Sequence, residues 1–527
     1  MKNVMTPQEL FNKVSKPKIE RSTFNRSHGL KTTFDSGKLI PIFIDEAMPG
    51  DTFNVKANLF GRLATPIKPV MDNIAMDIHF FSVPIRLVWD NFQKFMGEQV
   101  DPGDSTDFLM PTMTSTVTTG YGELSVYDYA GIPTKVAGLE HRSDFFRAMH
   151  LIWNEWYRDE NLQDSLIVDK GDGPDTPSDY VNLLPRGKRK DYFTSALPFA
   201  QKGDAVTIPI GTSAPLVMQA APYTDSQLIR DPNGALINTT NSWESDASGQ
   251  FIHSTGNRLW LDPNGSITAD LTNASAQTIN ALREAWQLQS LFERDARGGT
   301  RYIEMMYSHF GVLSPDARLQ RPEYLGGGTS SININPIAQQ GESGTTPQGN
   351  LAAMGTVAAN GKGFVKSFTE HEIVIGFVSV RADLTYQQGL NKMWSRSTRY
   401  DHYFPSFANL GEEAILNKEI YAQGTAGGAA DDAVFGYQER FGDYRYKPSI
   451  ITGLFRSNAT ASLDVWHLSQ DFSALPVLNN TFIEEDVPID RVVAVTSEPE
   501  FILDAYFDFK ATRPMPVKSV PGSIMKL

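Results

Sequence analysis

The chain has 527 residues, of which 41% are hydrophobic and 20% are charged. This composition excludes a disordered chain, and the length exceeds what one core of ordinary size requires. We therefore expect two domains, or one domain with long insertions. No cysteine occurs, which excludes disulfides, thiolate zinc sites and cysteine nucleophiles. No apolar run approaches the roughly 20 residues of a transmembrane helix, and residues 1–7 lack the apolar core of a secretory signal. We expect a soluble protein made in the cytoplasm, without membrane insertion.

The net charge of −14 is unevenly distributed. Residues 1–40 carry eight Lys and Arg against three Asp and Glu, and residues 510–527 carry four basic residues and no acidic one. Basic ends on an acidic body suit contact with nucleic acid, because each neutralised phosphate releases a counterion. A terminus that is flexible and basic without any such partner is the alternative. The candidate DNA-binding residues are Lys13, Lys16, Lys18, Arg21, Arg26, Lys510, Arg513 and Lys518.

The first part of the chain predicts an arm followed by strands and a helix. Residues 1–38 show no helical or strand period and are predicted as a basic N-terminal arm. Strands are predicted over 39–44, 52–59 and 74–83, where apolar residues alternate or run together. Ser143 is predicted to cap a helix that carries apolar residues at helical spacing as far as Trp156.

Two loop-rich insertions and a second helix follow. Half of residues 212–275 are Gly, Ala, Ser, Thr or Asn, and the turn sequence Asp-Pro-Asn-Gly occurs there twice, which predicts an exposed, turn-rich surface insertion. A helix is predicted over 275–297, ended by Gly298 and Gly299. Residues 326–363 are predicted as a second loop-rich insertion.

Strands return in the last third of the chain. Residues 364–386 are strongly apolar, and Phe501, Leu503, Ala505, Phe507 and Phe509 share one face of a predicted strand. Strands at both ends with helices and loops between them do not fit an alternating βαβ fold. The prediction is a mainly β protein: an eight-stranded antiparallel jelly roll, or β-sandwich, over 39–509 with long loop and helical insertions. Residues 510–527 are predicted as a basic extended C-terminal tail.

No catalytic, metal or cofactor motif is found. The segment from Gly355 to Gly363 resembles a phosphate-binding loop but has one residue too many between its glycines, and Gly363 replaces the magnesium-binding Ser or Thr. A flexible loop is the simpler interpretation. Asp401 and His402 are adjacent, and neighbours rarely form a base with its orienting acid. We therefore predict a protein that is not an enzyme, with no metal and no cofactor.

A dense basic cluster comprises Arg186, Lys188, Arg189 and Lys190, and two aromatic residues, Tyr192 and Phe193, follow it. Cations beside aromatic rings can hold phosphates and stack bases, so this cluster is a secondary DNA-binding candidate. A solvated loop or a subunit contact explains the same residues and is the favoured alternative.

Several long phrases of the sequence match one known family. They lie at Ser195–Gly203, Ser314–Gly326, Tyr400–Gly411, Phe435–Pro448 and between Phe24 and Asp51. On these phrases the chain resembles the major capsid proteins of the Microviridae, specifically the gokushovirus branch of small single-stranded DNA bacteriophages. Residues 212–275 contain no matching phrase.

The resemblance implies a jelly-roll subunit of the virion that self-assembles into a T=1 icosahedral shell around circular single-stranded DNA. It also implies an internal scaffolding protein, a DNA-pilot protein and a small DNA-binding peptide as partners. In this branch one insertion forms protrusions at the threefold axes, and residues 212–275 are the candidate here, with a host cell-surface receptor as a further partner. The alternative class is a secreted or surface β-sandwich that binds carbohydrate, with or without hydrolase activity, which would remain a monomer or small oligomer.

Overall fold

Alternating apolar residues produce two of the long strands in this protein, whose computed structural model describes residues 19–206, 279–344 and 346–518 together with six short strands between 216 and 269. In the last long strand, for example, every second residue from Phe501 to Ala511 is buried while the intervening side chains point outward. The same pattern in Thr52–Leu63 buries Phe53, Val55, Ala57 and Leu59. Such strands bury one face and leave the other in contact with solvent.

Ten strands form one hydrogen-bonded network. They are β1 (Ser22–Asn25), β2 (His28–Phe34), β3 (Lys38–Ala47), β4 (Thr52–Leu63), β5 (Ile74–Pro84), β6 (Leu184–Pro185), β7 (Glu323–Ala338), β8 (Leu351–Ser367), β9 (Glu372–Ala382) and β10 (Phe501–Arg513). The order is β1-β10-β4-β8-β7-β5-β9-β3-β6, and β2 also pairs with β10. All of these pairings are antiparallel.

Strand β7 joins two parts of the network, because its first ten residues pair with β5 and Asn333–Ala338 pair with β8. We call β1, β2, β10, β4 and β8 the front sheet, and β5, β9, β3 and β6 the back sheet. Phe43 of the back sheet contacts Phe507 and Phe509 of the front sheet, with ring centroids 5.3 and 5.5 Å apart. A buried apolar core therefore lies between the two sheets.

A second core covers the other face of the back sheet. Phe81 and Phe377 point away from the first core and pack with Phe146, Met149 and Trp153 of a helix. The helices are α1 (Phe92–Phe95), α2 (Val126–Tyr129), α3 (Asp144–Trp156), α4 (Ile279–Gly298), α5 (Tyr302–Phe310), α6 (Asp316–Leu319), α7 (Asn417–Ile420), α8 (Gly442–Arg445) and α9 (Asn480–Ile483). A third, smaller apolar cluster forms around Tyr386, Ile415 and Phe435.

The remaining strands form short pairs. They are Thr112–Thr114 with Glu140–Arg142, Thr385–Tyr386 with Ser449–Ile450, Glu412–Leu416 with Val434–Glu439, Leu216–Met218 with Ile267–Ala269, Ile229–Arg230 with Trp260–Leu261, and Trp243–Ser245 with Phe251–His253. The chain divides into two compact units, Gln201–Glu293 and the residues on either side of it. The predicted insertion 212–275 lies within the first of these, and both Asp-Pro-Asn-Gly turns lie outside the described residues.

The mainly β architecture with a large antiparallel sheet is confirmed, as is the helix that follows Ser143. Ser143 occupies the predicted N-cap position, but its hydroxyl makes no capping hydrogen bond. The predicted arm was wrong for residues 22–34, since β1 and β2 both pair with β10. The predicted tail likewise begins within β10, which continues to Arg513.

The prediction of a loop-rich insertion over 326–363 was wrong for most of its length, which is occupied by β7 and β8. The glycines that suggested loops allow backbones to approach closely instead. A Cβ atom on Gly327 would lie 2.0 Å from the Ile78 carbonyl oxygen, and one on Gly363 would lie 1.9 Å from that of Val55. The segment Gly355–Gly363 is therefore part of a strand and not a flexible loop.

Candidate nucleic-acid interface

Three of the predicted DNA-binding arginines lie at one end of the front sheet, against an acidic segment. We call Asp45, Glu46 and Asp51 the acidic corner. Arg26 forms an ion pair with Asp45 and stacks over the Phe509 ring, 5.1 Å from its centroid. Arg513 donates to the Glu46 carbonyl oxygen at 2.8 Å, and its Nε lies 3.4 Å from Asp51 Oδ2.

Arg21 completes this arrangement by donating to the Gly50 carbonyl oxygen at 2.6 Å. The side chains of Arg26 and Arg513 are thus engaged with acidic groups of the same chain, which reduces the positive potential that they offer to a phosphate. The structure brings these three arginines together, but their contacts join the two ends of the described chain to the acidic corner. Sequence reasoning missed their acidic partners, because pairs far apart in sequence leave no local pattern.

The lysines of the prediction are placed differently. The Lys510 side chain extends from β10 on the exposed face of the front sheet and has no ion-pair or hydrogen-bond partner among the described residues. Lys518 is exposed beyond the end of β10. Lys13, Lys16 and Lys18 lie outside the described residues, so their role stays a prediction.

The secondary basic cluster points mainly into the protein. The Arg186 guanidinium lies over the Tyr157 ring, 4.7 Å from its centroid, and the buried Lys188 donates to the Phe482 carbonyl oxygen at 2.8 Å. Burial lowers the pKa of both side chains. Arg189 pairs with Asp383 at 2.7 Å and Lys190 with Asp159 at 2.6 Å. All four cations therefore have internal partners, and the alternative of a solvated loop is wrong for Arg186 and Lys188.

The other motif considered for chemistry has a local structural role. The Asp401 carboxylate accepts backbone hydrogen bonds from Ser397 at 2.9 Å and Thr398 at 2.7 Å, and these bonds hold its pKa below the usual value. It closes a turn and makes no hydrogen bond with the adjacent His402. In the described part of the chain, no group of three or more His, Asp and Glu side chains is arranged to hold a metal ion. None of the helices described there combines the length and apolar character that a transmembrane span requires.

Buried carboxyl groups give the fold a dependence on pH. Burial raises the pKa of Glu372, the first residue of β9, to about 7, and the neighbouring Glu370 acts in the same direction. Burial likewise raises the pKa of Glu485 and of Glu500 to about 7. A group with a raised pKa in the folded state stabilises the fold fully below its unfolded pKa, and that contribution is lost as the pH rises through the folded value.

We therefore expect the free energy of unfolding to fall between about pH 5 and pH 8, because Glu372 must then ionise in a buried position. Replacing Glu372 by Gln should raise the free energy of unfolding at pH 8 by about 1–2 kcal/mol. It should also reduce the slope of the free energy of unfolding against pH, and Glu485 and Glu500 should account for the slope that remains. Urea unfolding of the dissociated subunit at several pH values measures this. Glu98→Gln is the control, because Glu98 is exposed and its replacement should leave the dependence of stability on pH unchanged. An unchanged slope in Glu372→Gln would contradict the expectation.

The fold places this chain among mainly β proteins built on a large antiparallel sheet, and comparison with known proteins identifies its family. A family model described as "Capsid protein (F protein)" matches residues 12–523. The capsid protein VP1 of Bdellovibrio phage phiMH2K is 51% identical over 526 residues, which cover 98% of each chain. The capsid protein VP1 of Chlamydia phage 1 is 44% identical over 97% of each chain, and that of Spiroplasma virus 4 is 35% identical over 96% of this chain and 95% of its own.

The chain therefore belongs to the phage capsid protein (F protein) family. It is a structural major capsid protein located in the virion, and not an enzyme. The resemblance to gokushovirus capsid proteins seen in the sequence is confirmed by these matches.

Proposed function

We propose that this capsid protein is a jelly-roll subunit that assembles with copies of itself into a T=1 icosahedral shell around circular single-stranded DNA. The match of the capsid family over residues 12–523 carries the proposal. The two sheets that enclose the core around Phe43 and Phe507 support a sandwich of the jelly-roll type. A closed shell requires each subunit to present complementary surfaces to several neighbours, and loops on a rigid sandwich can supply them.

The two ends of the chain are proposed to face the packaged genome, with Lys13, Lys16, Lys18 and Lys518 as phosphate contacts. Arg21, Arg26 and Arg513 would contribute mainly by fixing the ends of the chain to the acidic corner. Residues 212–275 are proposed as a threefold protrusion that takes part in host attachment through a cell-surface receptor. Assembly would use an internal scaffolding protein, and the virion would also hold a DNA-pilot protein and a small DNA-binding peptide.

Negative-stain electron microscopy of the protein purified from its native source tests the central proposal. We expect uniform small icosahedral particles that contain nuclease-protected single-stranded DNA. Particles of another symmetry, or particles that protect only duplex DNA, would contradict it. Quantifying protein and DNA in the same particles relates the number of subunits to one genome.

A further inference from the structure

The outward face of the front sheet carries an unusual set of side chains. Phe60 of β4 is 51% exposed, and Ile502 and Tyr506 of β10 are 60% and 52% exposed. The solvent-facing side of an antiparallel sheet is ordinarily polar. Large apolar side chains grouped on an exposed surface indicate a binding site.

Cations flank these aromatic rings on both sides. In the register of β4 and β10, Arg62 lies opposite Ile502, Phe60 opposite Asp504, and Asn58 opposite Tyr506. The next rows place Lys56 opposite Asp508 and Lys510 opposite Asn54. At about 3.4 Å per residue, the eight steps along β4 from Arg62 to Asn54 span roughly 27 Å. The two aromatic rings therefore occupy the middle of a strip that has positive charge at each end.

The charge of this strip is opposite in sign to that of the whole chain. The exposed Lys31 of β2 pairs with Asp504, 2.8 Å away. The side chains of Lys56, Arg62 and Lys510 make no ion pair or hydrogen bond with any described residue, and Asp508 is the remaining acid of the strip. A surplus of cations on a chain of net charge −14 favours a polyanionic ligand at this face.

From this arrangement we infer that the outward face of β4 and β10 binds single-stranded nucleic acid, with Phe60 and Tyr506 stacking against bases and Lys56, Arg62 and Lys510 contacting phosphates. Phe60 and Tyr506 lie on neighbouring strands and are offset by two residues, and the Cα atoms of such positions are about 7–8 Å apart. Each ring can therefore contact a separate base. Duplex DNA keeps its base faces covered, whereas a single strand exposes them to aromatic side chains. Stacking of this kind tolerates any base, as packaging of a whole genome requires.

This inference rests on the proposed function, because the single-stranded nucleic acid that binds here would be the packaged DNA. The aromatic residues set the strip apart from the basic ends predicted from the sequence, which supply charge alone. The alternating pattern of Thr52–Leu63 already placed Lys56, Phe60 and Arg62 on one face, opposite the buried Phe53 and Leu59. Together with the exposed side chains of the neighbouring β10, these residues form the site.

Fluorescence anisotropy with an oligodeoxythymidylate and the purified full-length subunit measures the binding. The double variant Phe60→Leu with Tyr506→Leu retains apolar area but removes both rings, and we expect it to bind at least about 10-fold more weakly. The variant Lys56→Gln with Lys510→Gln should weaken binding and lower the slope of log K against log salt by about 1.4, since each phosphate contact on a single strand contributes about 0.7. A duplex of equal length should be insensitive to the leucine changes.

The matched control is Tyr446→Ala with Lys447→Gln, because Tyr446 is 52% exposed, as Tyr506 is, and lies outside the front sheet. This control should bind the oligonucleotide as the unaltered protein does. Wild-type affinity in the leucine variant would overturn the inference. So would a leucine variant that binds DNA normally but forms no particles, since the face would then be a contact between subunits. Particle symmetry is observed independently by microscopy, so failure of the shell proposal is distinguishable from failure of this site.

Discussion

Replacing Asp175 by Asn should lower the free energy of unfolding by about 3–5 kcal/mol, because it leaves a buried arginine without its counter-charge. Arg147 of α3 is fully buried, and its Nε donates to Asp175 Oδ2 at 2.7 Å while Nη2 pairs with the other carboxylate oxygen. The Nη1 atom donates to the carbonyl oxygens of Val88 at 3.1 Å and Gly171 at 2.8 Å. One ion pair therefore joins α3 to two loops beneath the back sheet.

Urea unfolding of the dissociated subunit, followed by circular dichroism, measures this effect. Asp179→Asn is the matched control, because Asp179 lies in the same segment but is exposed, and its change should stay within about 0.5 kcal/mol. The double variant Arg147→Met with Asp175→Asn should lose less stability than the two single changes added together, since no unpaired charge remains. Equal midpoints for Asp175→Asn and the control would show that the pair is not a determinant of stability.

Local patterns were sufficient to predict several of the long strands. Alternation identified β4, β5 and β10, and helical spacing identified α3. The pairing of β1 and β2 with β10 could not be predicted, because Lys31 and several hydroxyl side chains leave those strands without an apolar period. Their stability depends on β10, a partner nearly five hundred residues away in sequence.

The sequence was sufficient to predict which basic residues are candidates for the site, but not where the structure places them. Counting basic residues selected Lys510, whose side chain is exposed, but it could not show that Arg26 and Arg513 are engaged at the acidic corner. It also selected Arg186 and Lys188, whose burial depends on the tertiary positions of Tyr157 and Phe482. Burial and pairing of a cation are set by residues distant in sequence, so composition alone does not separate a structural cation from one available to a ligand.

The close packing around the glycines of β7 likewise could not be predicted from the sequence, and we expect a large loss of stability when one of them is replaced. Gly327 has a φ of +154° and pairs with His79 of β5, next to an irregularity in register between Tyr324 and Gly326. A Cβ atom there would meet the Ile78 carbonyl oxygen at 2.0 Å and its carbon at 2.9 Å. Both the backbone angle and the contact exclude an L side chain without movement of β5 or β7.

Gly327→Ala should therefore reduce the free energy of unfolding by about 2–4 kcal/mol, the sum expected of local backbone strain and overpacking against a neighbouring strand. Gly341→Ala is the control on the connection between β7 and β8, because a Cβ atom at Gly341 would have no neighbour within 4 Å. That change should be neutral, or slightly stabilising through a less flexible unfolded chain. Urea midpoints of the two variants give the comparison, and a Gly327→Ala protein as stable as Gly341→Ala would show that β5 and β7 can separate at little cost. The expected loss would instead establish the close approach of these strands as the reason why a glycine triplet stands inside a strand.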